Sequence, residues 1–194
     1  MTPAELYEKL LERFGEQGWW PMSNGFEPPE WEVCVGAILT QNTNWKNVEK
    51  ALENLKKSGV ISPDDIIKIE KSKLEQIIRP SGFYRQKAER LRIFADFVLG
   101  FGPFKKFSES VTRVQLLKVK GLGPETADSI LLYALNRPVF VIDAYTKRIC
   151  RMLNISKSQN YEELRSFFEN SLPKDVKVYK ELHALIVELG KNTA

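Results

Sequence analysis

"LLKVKGLGPETADSILLYAL", from Leu116 to Leu135, decides how this chain is read. An amphipathic run is halted at Gly121-Leu122-Gly123, and a helix restarts at once on Pro124, whose fixed φ suits the first helical position. Glycines before a helix start let the backbone approach a ligand, because no Cβ intervenes and positive φ is open to them. The helix start offers unpaired N–H groups and about half a positive charge, which suits a phosphate. Lys118 and Lys120 add nearby positive charge. Leu122 is expected to point inward and lock the two helices, and Ala127 to let them pack closely. The same spacing also serves a plain αα-hairpin with glycine after a helix end, so a phosphate grip and a structural turn both stay open.

Outward from the hairpin, helix signals recur and strand signals hardly appear. "TPAELYEKLLERF" puts Leu6, Leu10 and Phe14 on one face, behind an N-cap threonine, Pro3 and Glu5. "EWEVCVGAILTQ" is apolar nearly all round, the pattern of a central buried helix with Trp31 in the core. "WKNVEKALENLKKSG" and "YRQKAERLRIFADFVLGFG" are amphipathic and close on glycine, and Ser62-Pro63-Asp64-Asp65 caps a short helix between them. After the hairpin comes a β-like run, Val139 to Ile142, and then three more helical patterns. His183 lies on the last of these with no second ligand in view and reads as structural. The expectation is an all-α protein of about ten helices.

Hydrophobic residues at 43% and charged residues at 28% describe an ordinary globular protein. A net charge of +4 permits nucleic-acid binding without demanding it. No apolar run approaches the roughly 20 residues of a membrane span, and the N-terminus opens as a capped helix, unlike a signal peptide. Cys34 and Cys150 sit in apolar helical patterns without metal-ligand spacing, as reduced core residues of a cytosolic protein would. Nothing argues for more than a monomer.

The hairpin stretch followed by "PVFVIDAYTKRICRML" resembles the helix-hairpin-helix DNA glycosylases, the superfamily of endonuclease III. "LTQNT" (Leu39 to Thr43) and "SGFYRQKAERL" (Ser81 to Leu91) are similar to two further family segments at the DNA interface. The resemblance runs from about Trp19 to Lys191. "WWP" at Trp19 to Pro21, "GAILTQNT" at Gly36 to Thr43, "RPSGFY" at Arg79 to Tyr84 and the Gly121-x-Gly123-x-Glu125-Thr126-Ala127 pattern resemble its 3-methyladenine DNA glycosylase III branch. This implies two helical lobes with a DNA-binding cleft between them. Residues 27–137, with the hairpin, would form one lobe, and 1–26 with 138–194 the other. Many relatives hold an iron–sulfur cluster on four C-terminal cysteines that have no counterpart here. No cluster, metal or other cofactor is expected.

The resemblance also implies roles. Asp143 is placed as the catalytic carboxylate, although an Asp before "AYTKRI" is equally a good N-cap. Glu125 stands where strand-cutting relatives carry a Schiff-base lysine, which implies a glycosylase without lyase activity; a helix-start carboxylate favoured by the dipole is the plainer reading. Gln41 would fill the space left by a flipped base, with Asn42 beside it and Phe83 as an apolar wedge; the alternatives are a helix-end cap and a core side chain. Gly121, Leu122, Gly123 and Thr126 would meet the backbone with Lys118 and Lys120. Trp20 and Trp45, then Trp19 and Pro21, with Glu125 and Lys191, are base-pocket candidates; an alkylated purine is cationic and a tryptophan face attracts it by about 0.5–2 kcal/mol. Lys191 matches a family lysine near the active site, or is simply a solvated last-turn lysine. The implied activity is removal of alkylated purines, 3-methyladenine first, from damaged double-stranded DNA in a prokaryotic cytoplasm. Glycosylases for oxidised, deaminated or mismatched bases, and a non-catalytic DNA-binding module, are the alternatives.

Overall fold

Helix starts written into the sequence set the architecture. In the computed structural model, which describes residues 1–20 and 25–193, twelve α-helices follow one another among the described residues: α1 (Pro3–Phe14), α2 (Pro29–Leu39), α3 (Trp45–Lys57), α4 (Pro63–Lys68), α5 (Lys71–Ile77), α6 (Tyr84–Leu99), α7 (Phe104–Ser110), α8 (Arg113–Lys118), α9 (Pro124–Ser129), α10 (Ala144–Met152), α11 (Tyr161–Ser171) and α12 (Val176–Asn192). No β-strand occurs among them, so the fold is all-α. The Thr2 hydroxyl accepts the Glu5 N–H at 3.2 Å while Glu5 accepts the Thr2 N–H at 2.9 Å, a reciprocal cap that starts α1. Ser62 with Asp65 starts α4 in the same way, and Thr112 with Gln115 starts α8. None of the helices is long and apolar enough to cross a membrane.

The chain divides into two compact units, Met1–Pro21 with Leu131–Ala194, and Met22–Ile130. The core of the second is α2, in which every residue from Trp31 to Leu39 is buried, as its all-round apolar sequence requires. Trp31 stacks on Phe94 of α6 with ring centroids 5.6 Å apart, and Phe107 of α7 meets Phe94 edge-on. The fully buried Lys87 donates from Nζ to the Leu39 carbonyl at 2.8 Å and to the Ser81 carbonyl at 2.6 Å. One ammonium thus ties the end of α2 to the 3-10 turn Arg79–Ser81. Burial, with a smaller push from Arg90, lowers its pKa to about 8. At the hairpin Leu122 and Ala127 are buried between α8 and α9. Arg113 clasps the buried Asp128 through Nε–Oδ1 at 2.6 Å and Nη2–Oδ2 at 3.0 Å. From α9 the chain runs directly into a π-turn, Ile130–Ala134.

In the first unit α12 packs on α1 and α10. The run expected to be β-like is extended and buried from Phe140 to Ile142, but it pairs with no strand. Its donors go to side chains of α11 instead: the Phe140 N–H to Glu169 at 2.9 Å and the Ile142 N–H to the Tyr161 hydroxyl at 3.4 Å. Phe140 stacks on Phe168 at 4.5 Å. Cys34 and Cys150 are buried free thiols on α2 and α10, both pushed up by burial, Cys150 to about 11.

Candidate active site

Asp143 is the N-cap of α10. Its Oδ1 accepts the Thr146 N–H at 2.7 Å and the Thr146 hydroxyl at 2.8 Å. Oδ2 stands 3.5 Å from Nε2 of His183 on α12, and the aspartate side chain is only 13% exposed. Burial is the largest influence on this carboxyl and opposes ionisation. The nearby His183 imidazole and the two Thr146 donors together outweigh it, so the group sits below the usual carboxylate range. The result is a carboxylate ionised at neutral pH with one oxygen committed to a helix start and the other beside an imidazole.

Aromatic rings gather around this pair. The Tyr133 hydroxyl lies 2.6 Å from His183 Nδ1, Trp19 stands edge-on to His183 at 6.2 Å, and Trp20 edge-on to Tyr133 at 5.3 Å. Lys191 holds its Nζ 5.4 Å from the Trp19 ring centroid and 3.6 Å from Glu188, so that ring already receives a cation. Tyr133 belongs to the π-turn, a local widening of the helix. Lys180 fixes it there, donating to the Tyr133 carbonyl at 3.4 Å and to Asn136 Oδ1 at 2.6 Å. An open cavity of about 680 Å³ has Trp19, Asn136, Lys180 and Glu181 in its wall but not Asp143.

A second constellation lies wholly in the other unit. Gln41, in the turn after α2, donates from Nε2 to the Gly121 carbonyl at 3.1 Å and to the Thr126 hydroxyl at 2.9 Å, and its Oε1 accepts from Arg90. At Gly121 φ is +91°, and a Cβ would stand 2.5 Å from Arg90 Cγ, so glycine is required twice over. Phe83 is 62% exposed and left-handed, with φ 44°, at the start of α6. A left-handed backbone at a bulky residue costs folding free energy of about 1–3 kcal/mol. Asn42 is likewise left-handed, with φ 52°, and exposed. Among the hairpin residues Lys118, Gly121, Gly123 and Glu125 are exposed, whereas Leu122 and Thr126 are buried. Lys120 is exposed but pairs with Glu89 at 3.2 Å, which Lys71 also approaches at 3.9 Å. Trp45 opens α3 and donates from Nε1 to Glu49 at 3.0 Å. Pro21 lies outside the described residues. Among those that are described, no group of three His, Cys, Asp or Glu side chains is placed to hold a metal ion.

A family model for the HhH-GPD superfamily of base excision DNA repair proteins matches residues 35–174. The chain belongs to this superfamily. A provisionally named DNA repair glycosylase of Methanocaldococcus jannaschii is 46% identical over 191 residues, spanning 95% of this chain and 84% of that one. Endonuclease III of Thermotoga maritima is 28% identical over 189 residues, covering 96% and 82%. The crystal structure of H. pylori 3-methyladenine DNA glycosylase bound to 1,N6-ethenoadenine matches with a TM-score of 0.88 at 33% identity, covering 100% of this chain and 99% of that one. An endonuclease III–DNA complex matches with a TM-score of 0.80 at 20% identity, covering 98% and 86%, a likeness of fold. The protein is therefore a base excision repair DNA glycosylase of the helix-hairpin-helix type.

Within this glycosylase, Trp19, Trp20, Asp143 and Lys191 come together in one unit, and Gln41, Gly121 and Thr126 in the other. Sequence reasoning assigned His183 to structure and passed over Tyr133, although both touch the Asp143 neighbourhood. His183 and Lys191 stand at i and i+8 on α12, within one broad helix face, and this shared face was the one available signal. Arg90 and Lys87, which hold Gln41 and the turns around it, carried no signal that separates them from solvated helix charges.

Proposed function

We propose that this glycosylase is monofunctional and excises alkylated purines, 3-methyladenine first, by hydrolysis. The observation that carries the reading is the ionised Asp143 carboxylate sharing its neighbourhood with Trp19, whose ring already takes the Lys191 ammonium. A purine alkylated at N3 is cationic. Stacked on such a ring, it would exchange one cation–π contact for another, at no net loss of charge stabilisation. As the C1′–N9 bond breaks, its electron pair passes to the base, which departs neutral and needs no proton from the protein. The deoxyribose turns cationic, and a carboxylate beside it stabilises that charge. Water then bonds to C1′, and its proton passes to Asp143 or to solvent.

Glu125 supports the absence of strand cleavage, since a carboxylate at the hairpin position cannot form a Schiff base. The ethenoadenine held by the H. pylori neighbour, a base enlarged by an added ring, supports an alkylated-purine site. Asp143 is the proposed catalytic residue, and Trp19, Trp20, Trp45, Pro21, Glu125 and Lys191 are the proposed base-pocket residues. Gln41, Asn42 and Phe83, with Lys118, Lys120, Gly121, Leu122, Gly123, Glu125 and Thr126 of the hairpin, are the proposed DNA contacts. In methylated duplex DNA the enzyme releases 3-methyladenine and leaves an abasic site in an uncut strand, and borohydride traps no covalent complex. Release of uracil or 8-oxoguanine in preference to 3-methyladenine, or a borohydride-trapped adduct, overturns the reading.

A further inference from the structure

Two buried polar groups run in line behind the proposed catalytic carboxylate. Tyr133 on the π-turn reaches His183 Nδ1 at 2.6 Å, and His183 Nε2 faces Asp143 Oδ2 at 3.5 Å. His183 is 6% exposed, and its Nε2 makes no hydrogen bond at that separation. A buried ring nitrogen aimed at a carboxylate and just short of bonding it needs an explanation beyond packing. His183 is also the only histidine of the chain.

Resting on the reading above, we propose that His183 is a positioning residue for Asp143, and that Tyr133 fixes the proton on the imidazole nitrogen that faces the carboxylate. Proton bookkeeping favours that placement. Burial, reinforced by the Asp143 and Glu181 carboxylates, pushes the Tyr133 phenol well above its ordinary value, so its O–H stays protonated. If that O–H is given to Nδ1, the neutral ring carries its proton on Nε2. If it is given instead to the Lys180 carbonyl, 3.3 Å away, Nδ1 must be the donor to the tyrosine oxygen. A neutral ring would then turn an Nε2 lone pair onto an anion, a repulsive arrangement that favours the first alternative. Nε2–H then points at Oδ2. While Thr146 holds Oδ1, this donor sets the plane of the carboxylate. A contraction of a few tenths of an ångström would make the contact a charge-assisted hydrogen bond.

The charged groups around this line are Glu181 and Lys180 on α12, Asp143 at the start of α10, and Lys191 across the Trp19 ring. Only His183 and Thr146 act on Asp143 to favour its ionised form. Removing the imidazole therefore raises the pH at which activity is lost on acidification.

The test combines kinetics with a spectroscopic measurement that needs no activity. His183→Phe should cut the single-turnover rate of 3-methyladenine release by about 10- to 100-fold at pH 7 and shift the acid limb upward. Its affinity for a duplex with an abasic-site analogue should stay within about twofold, the ordinary scatter of a change that adds or removes no DNA contact. His183→Gln keeps an N–H donor and should recover part of the rate, and Tyr133→Phe should fall between. Nitrogen NMR of the single histidine in the wild-type enzyme should show the proton on Nε2. A proton on Nδ1 of a neutral ring, or a His183→Phe enzyme with an unchanged rate and acid limb, overturns the proposal. So does equal loss in His183→Phe and His183→Gln. A wild-type enzyme that releases no alkylated base sinks the reading of function, whereas the tautomer measurement still decides the geometry.

Discussion

Replacing Lys87 with Met tests how the second unit holds its two exposed turns. Methionine keeps most of the length and volume of the side chain but removes both donors to the Leu39 and Ser81 carbonyls, at 2.8 and 2.6 Å. Each buried carbonyl left without its donor costs about 1–3 kcal/mol. Relief from burying an ammonium offsets part of that, so the net loss near pH 7 is about 1–3 kcal/mol, or about 2–10 °C in Tm for a chain of this size. The pH dependence is more telling. Lys87 titrates at about 8 in the folded protein, below the 10.5 of a free lysine, so between those values the unfolded chain binds more protons. Stability from this group therefore rises with pH across that window, the reverse of a lysine held by a carboxylate. The Lys87→Met penalty should be larger at pH 9.5 than at pH 7, measured by urea unfolding of both proteins at each pH. A penalty that shrinks as pH rises, or Lys87→Met as stable as the wild type at both, refutes the reasoning.

Other positions make independent predictions. Gly190→Ala drives a Cβ into the Tyr145 ring, so it should lower Tm despite the roughly 1 kcal/mol by which alanine favours a helix. Arg113→Ala removes both bonds to the buried Asp128 and should cost about 3–5 kcal/mol in denaturant unfolding; a loss under about 1 kcal/mol would contradict the burial argument. Phe83→Gly releases a left-handed, exposed residue, so thermal stability should hold or rise by about 1 kcal/mol. The same variant should bind lesion-bearing duplex at least about tenfold more weakly, as expected for loss of an apolar wedge.

Much of the fold was legible because local chemistry and tertiary structure agree. The Thr2–Glu5 and Ser62–Asp65 caps start helices where the sequence put them, and an all-round apolar run became the buried α2. At Asp143 one oxygen caps α10, as its place before "AYTKRI" indicates, while the other faces His183, a neighbour 40 positions away that no local pattern announces. What was not legible depends on long-range contact or on a broken rule of thumb. Tyr133 and His183 lie 50 positions apart, and Tyr133 owes its place to a π-turn with no residue signature. Lys87 reads as a surface charge because lysine is almost never fully buried, yet here it is. Phe140 to Ile142 has strand-like composition without a strand partner, because side chains of α11 took its donors. Gln41 is tied to the hairpin across 80 residues, a link no local pattern encodes.

The whole account turns on whether Asp143 works as an anion. Single-turnover release of 3-methyladenine by Asp143→Asn, which keeps the shape of the side chain and a capping oxygen but discards the charge, tests this most directly. The account predicts a rate at least about 100-fold below wild type with duplex binding retained. Release by Asp143→Asn at the wild-type rate would contradict it.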